Sequence, residues 1–298
     1  MTTVAPLAYS PYDYGIHEDP YPTYARLRAE APVFYNEELD FFAYARHADV
    51  LAAFRDVDHY SNAYGVSLDP AAFGPDAHRA MSFLAMDPPR HTRMRSIVGK
   101  SFTPRRVAAM EDGIRALAVA HLAPALEAGS FDFIADFAGR LPMDVISELV
   151  GVPESDRAEI RRLADPARVP DWVEETLRYD TSTQMLVRVT SQPVRVQGVD
   201  IEAGRRILLL LGSANRDEDV FPDPETYDLD RRTQDLVSFG SGRHFCMGAA
   251  LARMEARVAL AEVRARVKDY EVDPAGIARV HSINVRGFAA LPTTVTPR

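Results

Sequence analysis

The chain has 298 residues, of which 47% are hydrophobic and 26% charged, and its formal net charge is −9. It is long enough for one large domain or two small ones with a sizeable core, and its acidic balance argues against broad nucleic-acid binding, which needs a basic surface. The single cysteine excludes an intramolecular disulfide and any structural zinc site built on two or more thiolates.

Met1 to Tyr14 holds no basic stretch followed by an apolar core, so no signal peptide is expected. A helix is predicted around Tyr24 to Ala29. Val33–Tyr35 and Phe41–Ala45 read as a hairpin across Asn36 to Asp40. Asp49 opens a short amphipathic helix through Arg55. Pro88 and Pro89 fit the first turn of a helix on which His91 and Arg95 share one face. Thr103-Pro104 starts a helix that keeps its apolar periodicity to about Ala128 and is stopped by Gly129. Leu141 to Leu149 and Glu154 to Leu163 read as helical, the latter running into Ala164-Asp165-Pro166, where it should stop. A further helix covers Asp171 to Tyr179. Val194 to Leu210 reads as strands around turns at Gly198 and Gly204. The longest strongly apolar run, Ile207 to Leu211, is far too short to span a bilayer, so a cytoplasmic protein without membrane insertion is expected. Ala214 to Arg232 is loop-like. A glycine-rich turn, Phe239 to Gly248, leads into an Ala-rich helix from Ala249 to about Lys268, and short strands follow from Tyr270 to Pro292.

The chemistry concentrates in Phe239-Gly240-Ser241-Gly242-Arg243-His244-Phe245-Cys246-Met247-Gly248. Its glycines let the backbone bend tightly and let a large flat ligand come close. The thiol sits just before a helix, whose free N–H groups and positive dipole end stabilise a thiolate. Such a thiolate is a good soft ligand for iron. A lone cysteine is most often a small buried hydrophobe, but F-G-x-G-x-H-x-C-x-G is long and specific, and it resembles the haem-binding loop of cytochrome P450s at every fixed position.

The resemblance runs from about Asp19 to Pro292 in family order. It implies haem b as cofactor, with Cys246 on the iron and Phe239, Gly240, Gly242 and Gly248 shaping the loop. Glu175 and Arg178 match the family's E-x-x-R helix, which joins a further arginine, here Arg231 or Arg232, in a buried network. Asn215-Arg216-Asp217 also fits the family's pattern. His91, Arg95, Arg188 and His244 stand where the family meets the haem propionates, which want cationic or hydrogen-bonding partners. The other histidines read as ordinary surface or packing residues.

The chain lacks the family's distal-helix pattern, A-G-x-[DE]-T-T, so no catalytic acid and threonine are identified. The join lies near Leu163-Ala164-Asp165-Pro166, where on the order of 100 residues are missing by comparison with a whole domain. The expectation is a single domain over residues 1–298, mainly α with small β-sheets, a trimmed cytochrome P450 fold with an internal deletion near residues 163–167. By resemblance it is a haem-thiolate monooxygenase that inserts one oxygen atom of O2 into a small organic substrate. Electrons come from NAD(P)H through a reductase and a ferredoxin-type partner, for which Arg243 and Arg253 are candidate contacts. Two other readings stay open: a haem-binding protein without monooxygenase turnover, and an apo helical interaction protein or remnant.

Overall fold

The computed structural model describes residues 6–142 and 169–298. These fall into two compact units. The first comprises residues up to Ile97, Glu175–Cys246 and His281–Arg286; the second holds the described part of Val98–Glu174 with Met247–Val280 and Gly287–Arg298.

The first unit is organised by a five-stranded sheet of order β1-β2-β8-β5-β3, where β1 is Val33–Asn36, β2 Phe41–Tyr44, β3 Tyr60–Ser61, β5 Met185–Thr190 and β8 Arg206–Leu210. The predicted hairpin is present, with Val33 opposite Tyr44 and Asn36 opposite Phe41. β8 runs parallel to β2 and antiparallel to β5. Its apolar run follows from burial on both faces. Leu208 and Leu210 join Phe41, Ala43, Tyr24, Leu27 and Val187 in one cluster. Ile207 and Leu209 join Phe42, Tyr44, Val50, Phe54 and Ile201 in a second. A strand whose side chains alternate between two apolar layers has no polar positions to spare. The helices that supply those layers are α2 (Tyr21–Glu30) and α3 (His47–Arg55). A separate ribbon, β6 (Val194–Val196) and β7 (Val199–Ile201), turns at Gly198, whose φ of +81° sits in the region glycine favours.

In the second unit α7 (Glu111–Ala128) packs with α10 (Ala249–Arg266) around Ile114, Ala118, Leu122, Leu251, Met254 and Val258. The terminal strand β12 (Pro292–Pro297) pairs antiparallel with both β4 (Ser130–Asp132) and β9 (Val267–Val272).

The predicted elements change in four places. The helix from Thr103 is two helices, α6 (Pro104–Ala108) and α7, because Met110 N–H bonds the Val107 carbonyl at 3.0 Å and tightens the turn between them. The helix expected from Asp49 starts at His47, where His47 N–H donates to the Asp217 carboxylate at 2.7 Å. Pro88 and Pro89 precede α5 (Arg90–Val98) rather than forming its first turn. The long helix ends at Arg266 because Val267 has already turned to extended backbone and entered β9. The helix expected over Leu141 to Leu149 lies beyond residue 142 outside the described residues, as do the whole of Glu154 to Leu163 and the join at 163–167.

Leu208 is wholly buried at the centre of this sheet. Leu208→Ala is expected to cost about 2–5 kcal/mol through lost burial and the cavity it leaves. A lowered urea midpoint with an unchanged denaturant slope checks this.

Candidate haem-binding site

The loop before α10 is shaped by two glycines in left-handed backbone, Gly240 at φ +67° and Gly242 at φ +66°. A Cβ at Gly242 would stand 2.7 Å from the Phe54 carbonyl oxygen, so a side chain there meets fixed backbone as well as strain. Gly240 N–H bonds the Val237 carbonyl at 2.8 Å and Phe245 N–H the Gly242 carbonyl at 3.1 Å, while Cys246 N–H donates to the Phe239 carbonyl at 3.0 Å and closes the loop. The result leaves the Cys246 thiol exposed and Phe245 beside it 43% exposed. Gly248 is the residue immediately before α10, and its own φ of −81° needs no glycine.

Four basic side chains of the first unit gather near this loop. The His244 ring stacks on His91 with centroids 3.9 Å apart. Arg188, buried in β5, holds its guanidinium 5.1 Å from the Phe54 ring and donates to the Val187 carbonyl at 2.7 Å. Arg95, one turn beyond His91 on α5, donates to the Phe245 carbonyl. Both ring nitrogens of His91 and Nδ1 of His244 are buried without a hydrogen-bond partner. Burial, then Arg188, His91 and Arg95, push the His244 imidazole down to about 3. Burial pushes the Arg188 guanidinium down to about 10, with Asp87 opposing. Burial and then Arg95 lower His91, again against Asp87. Asp87 itself accepts from Ser61 Oγ at 2.5 Å and Asn62 N–H at 2.8 Å. A buried polar atom without a partner costs free energy, and like charges add to that cost. The cluster therefore has the signature of a site that an anion completes.

Behind the loop lies a second buried network. α8 (Val169–Tyr179) carries Glu175 and Arg178, which are 1% and 0% exposed. Their pairing is bidentate, Nε to Oε2 at 2.8 Å and Nη2 to Oε1 at 2.7 Å. Arg178 also donates to the carbonyls of Asn215 at 3.1 Å, Pro224 at 2.9 Å and Thr226 at 3.2 Å. Glu175 accepts from Asp228 N–H at 2.9 Å and from Arg231 Nε at 3.4 Å. Of the two arginine candidates, Arg231 is thus the third member, whereas Arg232 is exposed and reaches Gln234. The network runs on to the loop. Asn215 accepts from Val237 N–H at 2.8 Å and donates to Ser238 Oγ at 2.7 Å, and Ser238 Oγ donates to the Leu177 carbonyl at 2.6 Å. Arg216 is sandwiched between Tyr21, 3.5 Å away, and Tyr179, 3.9 Å away. Asn215 and Ser238 were not singled out for this link. The only signal in the sequence is that Asn215 follows the buried strand β8 and a short helix, and that Ser238 precedes the glycine turn.

A family model described as Cytochrome P450 matches residues 152–286. Cytochrome P450 123 of Mycobacterium tuberculosis is 44% identical over 393 residues, covering 98% of each chain. Against 298 residues, an alignment of 393 leaves at least 95 positions with no counterpart in this chain. Vitamin D(3) 25-hydroxylase of Pseudonocardia autotrophica is 29% identical, covering 100% of this chain and 99% of that protein. Among solved structures, cytochrome P450 CYP109Q5 from Chondromyces apiculatus is 25% identical with a TM-score of 0.84, covering 97% of this chain and 98% of that one. CYP150A6 of Mycobacterium marinum shares the fold with a TM-score of 0.87 at 24% identity, over the same shares of the two chains.

The site and the fold are those of a haem-thiolate protein, mainly helical with small sheets. The chain belongs to the cytochrome P450 family. That family consists of haem monooxygenases whose iron is held by a cysteine thiolate, and Cys246 is the sole cysteine here. The described residues fit haem. An exposed thiol follows a glycine loop that admits a flat ligand, and nearby stand buried imidazole nitrogens without hydrogen-bond partners. No helix among the described residues is long and apolar enough to cross a membrane.

Two predictions follow from this geometry. Arg178→Ala strands the Glu175 carboxylate in the interior, which costs about 3–5 kcal/mol, and a large fall in denaturation midpoint together with loss of bound haem is expected. Gly242→Ala places a methyl against the Phe54 carbonyl, and the haem-to-protein absorbance ratio of the purified protein should fall well below that of the unaltered chain.

Proposed function

We propose that this chain binds haem b through Cys246, with Arg188, His91, His244 and Arg95 meeting the propionates and Phe239, Gly240, Gly242 and Gly248 shaping the loop. The observation that carries the reading is the stacked pair of His244, two residues before the only thiol, and His91, with three buried ring nitrogens that have no hydrogen-bond partner. A propionate accepting from the N–H of these imidazoles would satisfy buried donors, and it would offset the charge of Arg188 and Arg95 beside them. Glu175, Arg178 and Arg231 hold the loop's approach in place from behind. Haem so held supplies the oxygen-activating redox chemistry.

The reaction is insertion of one atom of O2 into a small organic substrate, with the other atom leaving as water. NAD(P)H provides two electrons through a reductase and a ferredoxin-type partner. Arg90 and Arg93, both exposed on α5, suit an acidic donor protein. Arg243 is exposed and suits the same role, whereas Arg253 is engaged by Glu174 at 2.5 Å and 3.0 Å and is withdrawn as a candidate. The setting is cytoplasmic.

A second reading has its own support. At least 95 positions of a full-length relative are absent here, and the A-G-x-[DE]-T-T pattern is missing. We place that gap near residues 163–167, in a single domain over 1–298. Without an acid and threonine to supply protons at the distal side, electrons would be lost to peroxide or superoxide, and the protein would hold haem with little hydroxylated product.

The reduced protein under carbon monoxide is expected to give a thiolate-type Soret band, and Cys246→Ser to lose it. Absence of that band in the unaltered chain overturns haem-thiolate ligation. With reductase partners, NAD(P)H consumption should far exceed product and be matched by peroxide. A ratio near one product per NAD(P)H overturns the second reading.

A further inference from the structure

The second unit carries a groove of about 450 Å3 that the haem site does not use. Its lining is mainly apolar, from Phe131, Phe133, Leu260, Val263, Trp172 and Tyr270 among others. Trp172 and Tyr270 are 36% and 67% exposed and extend the apolar wall to the surface. Three cations, Arg264, Lys268 and Arg298, also line it. Arg264 holds its guanidinium 5.7 Å from the Trp172 ring. Arg298 is pinned by its Nε, which donates to the carbonyls of Arg264 and Val267 at 3.1 Å each. None of the three forms an ion pair among the described residues. The one acid in the lining, Asp269, accepts from Tyr270 N–H.

A volume of this size falls within the range of small-molecule sites. Apolar walls alone would suit any greasy surface. Cations with no ion pair among the described residues, in the lining of an apolar groove on a chain of net charge −9, select an amphiphile with one negative head. We propose that this groove binds a medium- or long-chain fatty carboxylate, its hydrocarbon tail lying along Phe131, Phe133 and Leu260 and its head meeting Arg264, Lys268 and Arg298.

Trp172 is the chain's only tryptophan, so its emission reports this groove. Sodium dodecanoate titrated into the haem-loaded full chain, below its micelle concentration, is expected to change that emission saturably. Dodecanol and dodecyltrimethylammonium are expected to bind at least tenfold more weakly. The double variant Arg264→Glu/Lys268→Glu should weaken dodecanoate about tenfold or more while its far-ultraviolet circular dichroism stays unchanged. No saturable change, or equal affinity for dodecanol on the unaltered chain, overturns the proposal. A Trp172 signal that depends on protein concentration without any ligand would assign the groove to a second copy of the chain and overturn it as well.

Discussion

The buried bidentate pair of Glu175 and Arg178 is the constraint on which the haem loop depends. Taking two charges out of water is costly, and Coulomb attraction offsets that cost only when geometry is good and the remaining donors and acceptors are met. Here they are met by backbone. Arg178 gathers the carbonyls of Asn215, Pro224 and Thr226, and Glu175 gathers the Asp228 N–H and Arg231. These groups belong to an irregular stretch with few regular backbone bonds of its own, so the ion pair substitutes for a sheet or helix in ordering it. Asn215 then relays that order to Val237 and Ser238, directly before the glycine turn. The network's worth lies less in net stability than in the single conformation it imposes on the thiolate loop.

The basic cluster obeys the opposite rule. Where the Glu175 network is complete, Arg188, His91 and His244 are incomplete in the protein alone. Their charged forms are disfavoured by burial and by one another, and Asp87 offsets only part of this. An anion placed among them would offset that cost. Haem held there would raise the apparent stability of this unit, as does whatever binds the native state and not the unfolded chain.

Much of this was legible in the sequence because the decisive positions are local. Gly240, Gly242, His244 and Cys246 fall within one turn, so their pattern is a statement about one backbone path. Glu175 and Arg178 are one helical turn apart, and the continuous apolar run Ile207 to Leu211 announces a strand buried on both faces. The rest depends on long-range contacts. Nothing local chooses Arg231 over Arg232; the choice is made by Glu175, 56 positions away. Nothing local tells that Arg253 is held by Glu174, 79 positions away, or that Asn215 links α8 to the loop. The break between α6 and α7 was also hidden, since Ala109 and Met110 keep helical backbone angles and the apolar periodicity runs through them.

The distribution of these contacts bears on what a shortened member of the family can keep. Every hydrogen bond cited for the Glu175 network, and every member of the basic cluster, comes from residues before 98 or after 174. The sheet that buries β8 on both sides is drawn from the same residues. A deletion confined to the stretch between 98 and 174 would thus remove no partner from either network. What it would remove is apolar cover, because helices absent from one layer leave the facing side chains of the next in water at about 25 cal/mol per Å2. The first unit's two apolar clusters are closed around their wholly buried members. The chemistry of iron ligation and the chemistry of oxygen control therefore have different structural supports, and a chain can lose the second while the residues that build the first remain in register.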